Sequence, residues 1–270
     1  MIKRRASLCI FANFLINNQE RFQRLEDSYE SFKNICPNQW IINVRGNYKY
    51  KVANFLKARI KNNLHLSFKE SSKGWLFDCQ LLSKKISSDM VMLWIEDHIL
   101  INKISFFESV IEEAFNKNID VLRYSWFNSS TKKLFYSFEP IEVGEFLDIS
   151  LIDSRKKKLL LSSNDFKNAY LVPMQSIMRT EFFIYAVQLK RPFLKRWPKK
   201  YPFDFEKKIK DFHNCEIKFA LPKKELFVSI DDDAGEDSYS LISRNLYPNR
   251  INRDELKTIE NNELNFKNKL

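Results

Sequence analysis

Short apolar runs alternate with amphipathic segments over roughly the first 125 residues of this 270-residue chain. Apolar runs of about four to eight residues are typical of buried strands, and apolar residues at intervals of three and four mark one face of a helix. Phe22, Leu25, Tyr29 and Phe32 follow the helical spacing. The alternation predicts an α/β/α sandwich with a mostly parallel central sheet, because parallel strands need crossovers that helices usually supply. We predict strands at 7–14, 40–44, 63–68, 90–95 and 119–124, and helices at 19–35, 52–60, 74–86 and 104–115.

The second half of the chain is less regular. A strand or bend at 173–179 leads to a predicted helix at 180–189, and 226–230 reads as a strand. The pattern therefore indicates an α/β half at 1–127, a second half of the same domain at 128–249, and a C-terminal helix or tail at 250–270.

Composition disfavours several classes of protein. No apolar run reaches the roughly 18 residues of a membrane-spanning helix. The four glycines fit neither GxGxxG nor GxxxxGK[ST], which disfavours a Rossmann-type dinucleotide site and a P-loop. The four cysteines, Cys9, Cys36, Cys79 and Cys215, form no CxxC pair, and we interpret them as buried thiols of a reducing compartment.

Polar residues follow two of the predicted strands. Asn43 and Arg45 lie at the end of the second strand, and Glu96, Asp97 and His98 follow the apolar fourth strand. Right-handed crossover connections bring the carboxyl ends of parallel strands to one edge of a sheet, where ligands usually bind. We therefore expect a site at this edge. The plainer alternative is that the acidic triplet only marks the polar end of a strand.

The segment from Gly74 to His98 resembles the nucleotide-sugar-binding half of GT-A-type glycosyltransferases, notably the family-2-like enzymes. A loop with Gly74 opens a helix, and a buried strand then runs into the triplet at 96–98, where that family has a DxD signature. The resemblance covers about residues 6–127. The last Asp of the family pattern is replaced here by His98. The resemblance implies that the donor contacts Asn13, Arg45, Gly74, Glu96 and Asp97.

The resemblance also implies a divalent metal and a catalytic base. Mn²⁺ or Mg²⁺ would offset the charge of the nucleotide diphosphate leaving group, with Asp97, His98 and His213 as ligands. Imidazole suits Mn²⁺ better than Mg²⁺. Asp204 or Glu206 would deprotonate the acceptor hydroxyl of an inverting enzyme. The alternative for these two acids is a favourable position at a helix N-terminus.

The implied function is a bacterial, cytoplasmic glycosyltransferase of polysaccharide biosynthesis. It would move a sugar from a nucleotide-sugar donor to a glycan or lipid-linked acceptor of the cell surface. The basic stretch 190–201 has three candidate partners: a diphosphate, an anionic glycan acceptor or the anionic inner membrane face. The plainer alternative is a solvated surface. The net charge of +11 keeps a nucleic-acid-binding protein or nuclease open as an alternative, although no nucleic-acid partner is expected. Because His98 replaces the last Asp of the family signature, a catalytically silent relative of these glycosyltransferases is a further alternative.

Overall fold

A computed structural model describes residues 5–125, 140–163, 170–189, 202, 205–212, 216–231 and 240–247. These ranges contain six α-helices and thirteen β-strands. The helices are α1 (Gln19–Phe32), α2 (Lys49–Arg59), α3 (Trp75–Ser83), α4 (Ile104–Asn116), α5 (Ser154–Ser162) and α6 (Thr180–Gln188). The strands are β1 (Leu8–Leu15), β2 (Gln39–Arg45), β3 (Leu64–Ser67), β4 (Met90–Leu93), β5 (His98–Leu100), β6 (Val121–Arg123), β7 (Glu142–Val143), β8 (Leu147–Ile152), β9 (Tyr170–Val172), β10 (Ser176–Arg179), β11 (Lys207–Lys208), β12 (Ile217–Pro222) and β13 (Phe227–Ser229).

The central sheet has nine strands in the order β3-β2-β1-β4-β10-β6-β12-β8-β7. β1 pairs in parallel with β2 and β4, and β3 extends the parallel group beyond β2. β10 lies antiparallel between β4 and β6, and β12 is parallel to β6. The carboxyl ends of β1 to β4, β6 and β12 therefore share one edge. The predicted mostly parallel α/β sandwich is confirmed.

Each face of the sheet carries its own hydrophobic core, as a sandwich of this kind requires. The first core takes side chains from α1, α2 and α4. The second takes side chains from α3, α5 and α6. Successive residues of a strand point to opposite faces, and in β1 Ile10 belongs to the first core while Phe11 belongs to the second.

The structure confirms the five strands and four helices predicted for the first half, with ends that differ by up to three residues. A local cap fixes the start of α1, because the side chain of Asn18 accepts a hydrogen bond from the Arg21 amide at 2.9 Å. The described helices include none that is long and apolar enough to cross a membrane. One prediction is wrong: Cys36 is exposed because it follows the end of α1, whereas Cys9 and Cys79 are buried in the second core.

Candidate functional site

Three polar side chains meet at the carboxyl ends of β1 and β2. Asn13, Asn43 and Arg45 point to the α3 face, at positions where the preceding residues of each strand are apolar. The Asn13 Oδ1 atom accepts hydrogen bonds from Asn43 Nδ2 at 2.8 Å and from Arg45 Nε at 2.9 Å. All three side chains are buried. Because buried polar groups are costly unless bonded, these contacts fix the three side chains relative to one another.

The loop between β3 and α3, with the residues at its two ends, joins the same hydrogen-bond network. Asn43 Oδ1 accepts from Ser67 Oγ at 2.8 Å and from the Lys69 amide at 2.7 Å. Trp75 Nε1 donates to the Asn13 carbonyl at 2.9 Å. Gly74, just before α3, has φ +97°, a conformation that favours glycine. These contacts join Asn13, Asn43 and Arg45 to the neighbouring loop, and we call these three side chains the polar floor.

Arg45 links this floor electrostatically to three carboxylates. Burial lowers the pKa of the Arg45 guanidinium, while the negative charges of Asp78, Glu70 and Glu96 act in the opposite direction. These acids come from three separate segments of the chain. All three charges therefore favour the protonated guanidinium of Arg45.

The triplet after β4 is engaged in internal ion pairs. Glu96 is buried and forms an ion pair with Arg21 of α1. Burial raises the pKa of Glu96, and the neighbouring Asp97 raises it further, against the opposing charge of Arg21. Burial also acts to raise the pKa of Asp97, but its hydrogen bond with His98 and the charges of His98 and Arg21 outweigh it and lower that pKa.

His98 is the first residue of β5 and points into the protein. Its Nδ1 lies 2.8 Å from Asp97 Oδ1, and its ring lies edge-on to the Tyr124 ring at 6.0 Å between centroids. Only 5% of the side chain is exposed. The sequence analysis placed the whole triplet after the fourth strand, and the structure shows in addition that His98 opens the short strand that pairs with β13.

Glu96, Asp97 and His98 do not by themselves form a metal centre among the described residues. Glu96 is occupied by Arg21, and Asp97 by His98. Among the residues that the structure describes, no three His, Cys, Asp or Glu side chains are grouped to hold a metal ion. His213, the third predicted ligand, lies outside the described residues. Metal binding by Asp97 and His98 therefore stays a prediction.

A cavity of about 510 Å³ opens at the same edge of the sheet. Its walls come from the segments that follow three adjacent parallel strands, β1, β2 and β3. Gly46, with φ +89°, lets the chain turn here, since a Cβ atom would lie 2.6 Å from the Ile16 carbonyl oxygen. Sequence reasoning saw the turn at 45–47 but missed the cavity, because a loop sequence does not reveal a concave shape. The lining residues are Leu15, Asn17, Gly46, Asn47, Lys49 and Glu70.

The structure places one of the two predicted base residues near this edge. Glu206 Oε1 accepts a hydrogen bond from the Met174 amide at 3.3 Å. Met174 lies just before β10, whose first residue Ser176 lies at the carboxyl end of β4 because the two strands are antiparallel. The ring centroids of Phe205 and Trp75 are 5.9 Å apart. Asp204 and the basic stretch 190–201 lie outside the described residues.

No protein-family model and no curated protein sequence matches this chain. Its fold is similar to that of S. aureus TarS residues 1–349, with a TM-score of 0.50 at 11% identity over 96% of this chain and 71% of that chain. The same part of TarS in complex with UDP gives a TM-score of 0.48 at 14% identity, with the same coverage of both chains. The mannosyltransferase PcManGT from Pyrobaculum calidifontis, in complex with GDP-Man and Mn²⁺, gives 0.36 at 9% identity over 51% of this chain and 40% of that chain. The first of these comparisons shows that the chain has a fold similar to that of the glycosyltransferase structure of TarS residues 1–349.

Proposed function

We propose that this protein is a glycosyltransferase that uses a nucleotide-sugar donor. The observation that carries the proposal is the cavity at the carboxyl ends of β1, β2 and β3, whose lining residue Gly46 directly follows Arg45 of the polar floor. Ligands of open α/β sheets bind at this edge. A fold similar to that of the glycosyltransferase TarS supports the choice of substrate class.

The cavity suits a nucleoside in size and in chemistry. Ligand sites of roughly 300–1,000 Å³ hold molecules of this size, and this cavity measures about 510 Å³. Asn17 and Asn47 offer amide donors and acceptors, and Glu70 offers a carboxylate that accepts from a base or a ribose hydroxyl. We assign the nucleoside to this cavity.

Two cations of this edge would bind the diphosphate. Lys49 lines the cavity, and Arg21, which also pairs with Glu96, lies in the first turn of α1 with 49% of its side chain exposed. The diphosphate gains negative charge as the bond to the sugar breaks, so fixed cations stabilise the transition state more than the ground state. We propose Arg21 and Lys49 for this role. The loss of charge at either residue would slow transfer.

Glu206 is the base that we propose for the acceptor hydroxyl. It is held by the Met174 amide at the edge of the sheet that carries the triplet. Deprotonation by a carboxylate, with attack on the sugar carbon from the face opposite the nucleotide, gives an inverting reaction. A glycan or lipid-linked acceptor of the cell surface, and Mn²⁺ or Mg²⁺ as cofactor, remain parts of the proposal.

Nucleotide binding is the first test. We expect UDP, GDP or CDP to raise the melting temperature of the full chain, measured with and without Mn²⁺. A ligand at 100 times its Kd adds about 2.7 kcal/mol of stability. Lys49→Gln should weaken binding at least fivefold. Lys57→Gln, an exposed lysine of the same helix outside the cavity, is the matched control. If no nucleotide stabilises the protein while DNA binds with a steep salt dependence, the nucleic-acid alternative is favoured instead.

A catalytically silent relative is the second candidate, and one observation favours it. Both carboxylates of the triplet are engaged within the protein, Glu96 by Arg21 and Asp97 by His98. Such a protein would bind the nucleotide without turning over the donor. Donor hydrolysis and transfer assays distinguish the two, because Glu206→Gln should lower the turnover of an enzyme about 10²–10⁴-fold while leaving nucleotide affinity unchanged. Absence of turnover in the wild type would identify the silent relative.

A further inference from the structure

The side chain of Asn43 is bonded to both backbone groups of one loop residue. Its Nδ2 atom donates to the Lys69 carbonyl at 2.7 Å, and its Oδ1 atom accepts from the Lys69 amide at 2.7 Å. The same Oδ1 accepts from Ser67 Oγ at 2.8 Å, and the same Nδ2 donates to Asn13 Oδ1 at 2.8 Å. An asparagine side chain can donate two hydrogen bonds and accept two, so Asn43 uses its full capacity. We call its two bonds to Lys69 the Asn43 clamp.

The residue after Lys69 brings a carboxylate to the cavity. Glu70 lines the cavity and is exposed. Within the described ranges of the chain, its carboxylate forms no hydrogen bond and no ion pair. No side-chain contact of this kind therefore fixes Glu70, and the position of its backbone decides where the carboxylate meets a ligand.

A second contact holds the chain on the other side of Glu70. The Ser71 amide donates to the carboxylate of Asp78, in the first turn of α3, at 3.3 Å from each oxygen. Residues 68–70 belong to no helix or strand, and all three are exposed. Burial in a core therefore does not fix this stretch. Glu70 lies between one residue that is bonded to Asn43 and one that is bonded to Asp78.

A loop that is fixed before a ligand binds does not have to be ordered by the ligand. Fixing the backbone of one residue costs roughly a factor of ten in an equilibrium constant. A binding residue whose backbone is already fixed therefore gives tighter binding than the same residue on a mobile loop. Asn43 is fully buried and is not among the residues that line the cavity. Its effect on a ligand in the cavity must therefore pass through the segments that it binds.

We propose that Asn43 is a positioning residue for recognition of the nucleoside. Through the Asn43 clamp it holds Glu70 at the wall of the cavity, where the carboxylate accepts a hydrogen bond from the nucleoside. The inference rests on the proposed function, which assigns the nucleoside to this cavity. A merely structural role of Asn43 would change the stability of the protein and leave the nucleotide affinity of the folded protein unchanged.

The other end of the same strand offers a matched control. Gln39, the first residue of β2, donates from Nε2 to the Lys85 carbonyl at 2.7 Å and accepts from the Ser87 amide at 3.0 Å. Gln39 is thus also a side-chain amide that binds the backbone of a loop. It lies at the amino end of β2, whereas the cavity lies at the carboxyl end. Gln39→Ala should lower the stability and leave nucleotide affinity unchanged.

Isothermal titration calorimetry on the full chain tests the proposal. The probes are UDP, GDP, CDP and inorganic pyrophosphate, which lacks a nucleoside. Each protein is measured at a temperature at which circular dichroism shows that it is folded. Ser67→Ala is the milder change, because it removes one bond to Asn43 from a half-buried residue, and it replaces Asn43→Ala if that variant does not fold. The variants are Asn43→Ala, Ser67→Ala, Gln39→Ala, Glu70→Ala, Asn43→Ala/Glu70→Ala and Ser67→Ala/Glu70→Ala.

We expect Asn43→Ala to weaken the binding of the tightest nucleotide about tenfold, and Ser67→Ala to weaken it at least about twofold. Pyrophosphate affinity should stay the same, because the diphosphate is assigned to Arg21 and Lys49. Glu70→Ala should itself weaken nucleotide binding. In the Glu70→Ala background the change at Asn43 or Ser67 should add little, since the group through which it acts is already absent, and a double-mutant cycle measures this coupling.

The results that would overturn the inference differ from those that would overturn the proposed function. A wild type that binds no nucleotide would overturn both. A nucleotide that binds the wild type, and binds Asn43→Ala and Ser67→Ala equally well, would overturn the inference alone. An equal loss of pyrophosphate affinity, or the same loss of nucleotide affinity in the Glu70→Ala background, would show a general disturbance of the sheet edge. An equal loss in Gln39→Ala would show an effect of stability.

Discussion

Removal of the Asn13 side chain should destabilise the whole sheet edge, because three segments depend on it. In Asn13→Ala the amide of Asn43 and the guanidinium of Arg45 lose their shared acceptor, at 2.8 and 2.9 Å in the native protein. The Trp75 carbonyl loses a donor at 3.2 Å. All of these groups are buried, so water does not readily replace the lost partner.

The expected cost follows from these three contacts, since the fourth, a weak hydrogen bond from Asn13 Nδ2 to Cys79 Sγ at 3.5 Å, adds little. A hydrogen bond to a charged group contributes about 1.5–3 kcal/mol, and each neutral one about 1 kcal/mol. The sum is about 4 kcal/mol in the free energy of unfolding. For a chain of this size that corresponds to a fall of roughly 8 °C in melting temperature.

Urea unfolding followed by circular dichroism measures the change directly. Asn54→Ala is the matched control, because it removes the same atoms from an exposed position of α2. It should change the free energy of unfolding by no more than about 0.5 kcal/mol, or stabilise slightly, since alanine favours helix. If Asn13→Ala unfolds within about 1 kcal/mol of the wild type, the three contacts do not hold this edge together and the reasoning is wrong.

Three further predictions concern single residues. Gly46→Ala should destabilise the protein, because Gly46 has positive φ and the new methyl group would lie 2.6 Å from the Ile16 carbonyl oxygen; chemical denaturation measures the loss. Native-state alkylation followed by peptide mapping should modify Cys36 and spare Cys9, since Cys36 is exposed and burial raises the pKa of the Cys9 thiol to about 12; equal labelling before unfolding would contradict this. Burial and neighbouring lysine charges lower the pKa of His65, so the unfolded chain binds its proton more readily and the wild type should lose stability as the pH falls through about 6.5. His65→Gln should remove that part of the pH dependence, which unfolding at pH 8 and pH 5.5 would measure.

The first half of the fold was predictable because apolar residues form short runs or alternate in its strands but recur every three or four residues in its helices. The wholly apolar run at Met90–Leu93 is a central strand with every residue buried, as expected. The antiparallel insertion of β10 could not be predicted. Its pairing joins residues about 85 positions apart, and a four-residue run carries no signal for its neighbour or its direction.

The candidate site was predicted in part. The structure brings Asn43 and Arg45 of β2 together with Asn13 of β1. The convergence of this set with the acidic triplet in one site stays a prediction. The partners of the acidic triplet were not predictable, because Arg21 comes from a helix 75 residues away in the chain. His98 was assigned by its order in the chain, whereas its orientation depends on pairing with a strand near residue 228. The roles of the predicted donor, metal and base residues stay predictions.

The position of β10 also bears on how the protein is made. Leu93, the last residue of β4, leaves the ribosome long before Ile177, which pairs with the same strand. At about 5–20 residues per second, the interval is on the order of ten seconds. During that time β4 has a partner on one side only, and its other edge is free to pair with another nascent chain. A shortage of chaperones or a slowing of translation within this window should therefore lower the yield of native protein more than the same disturbance after residue 180.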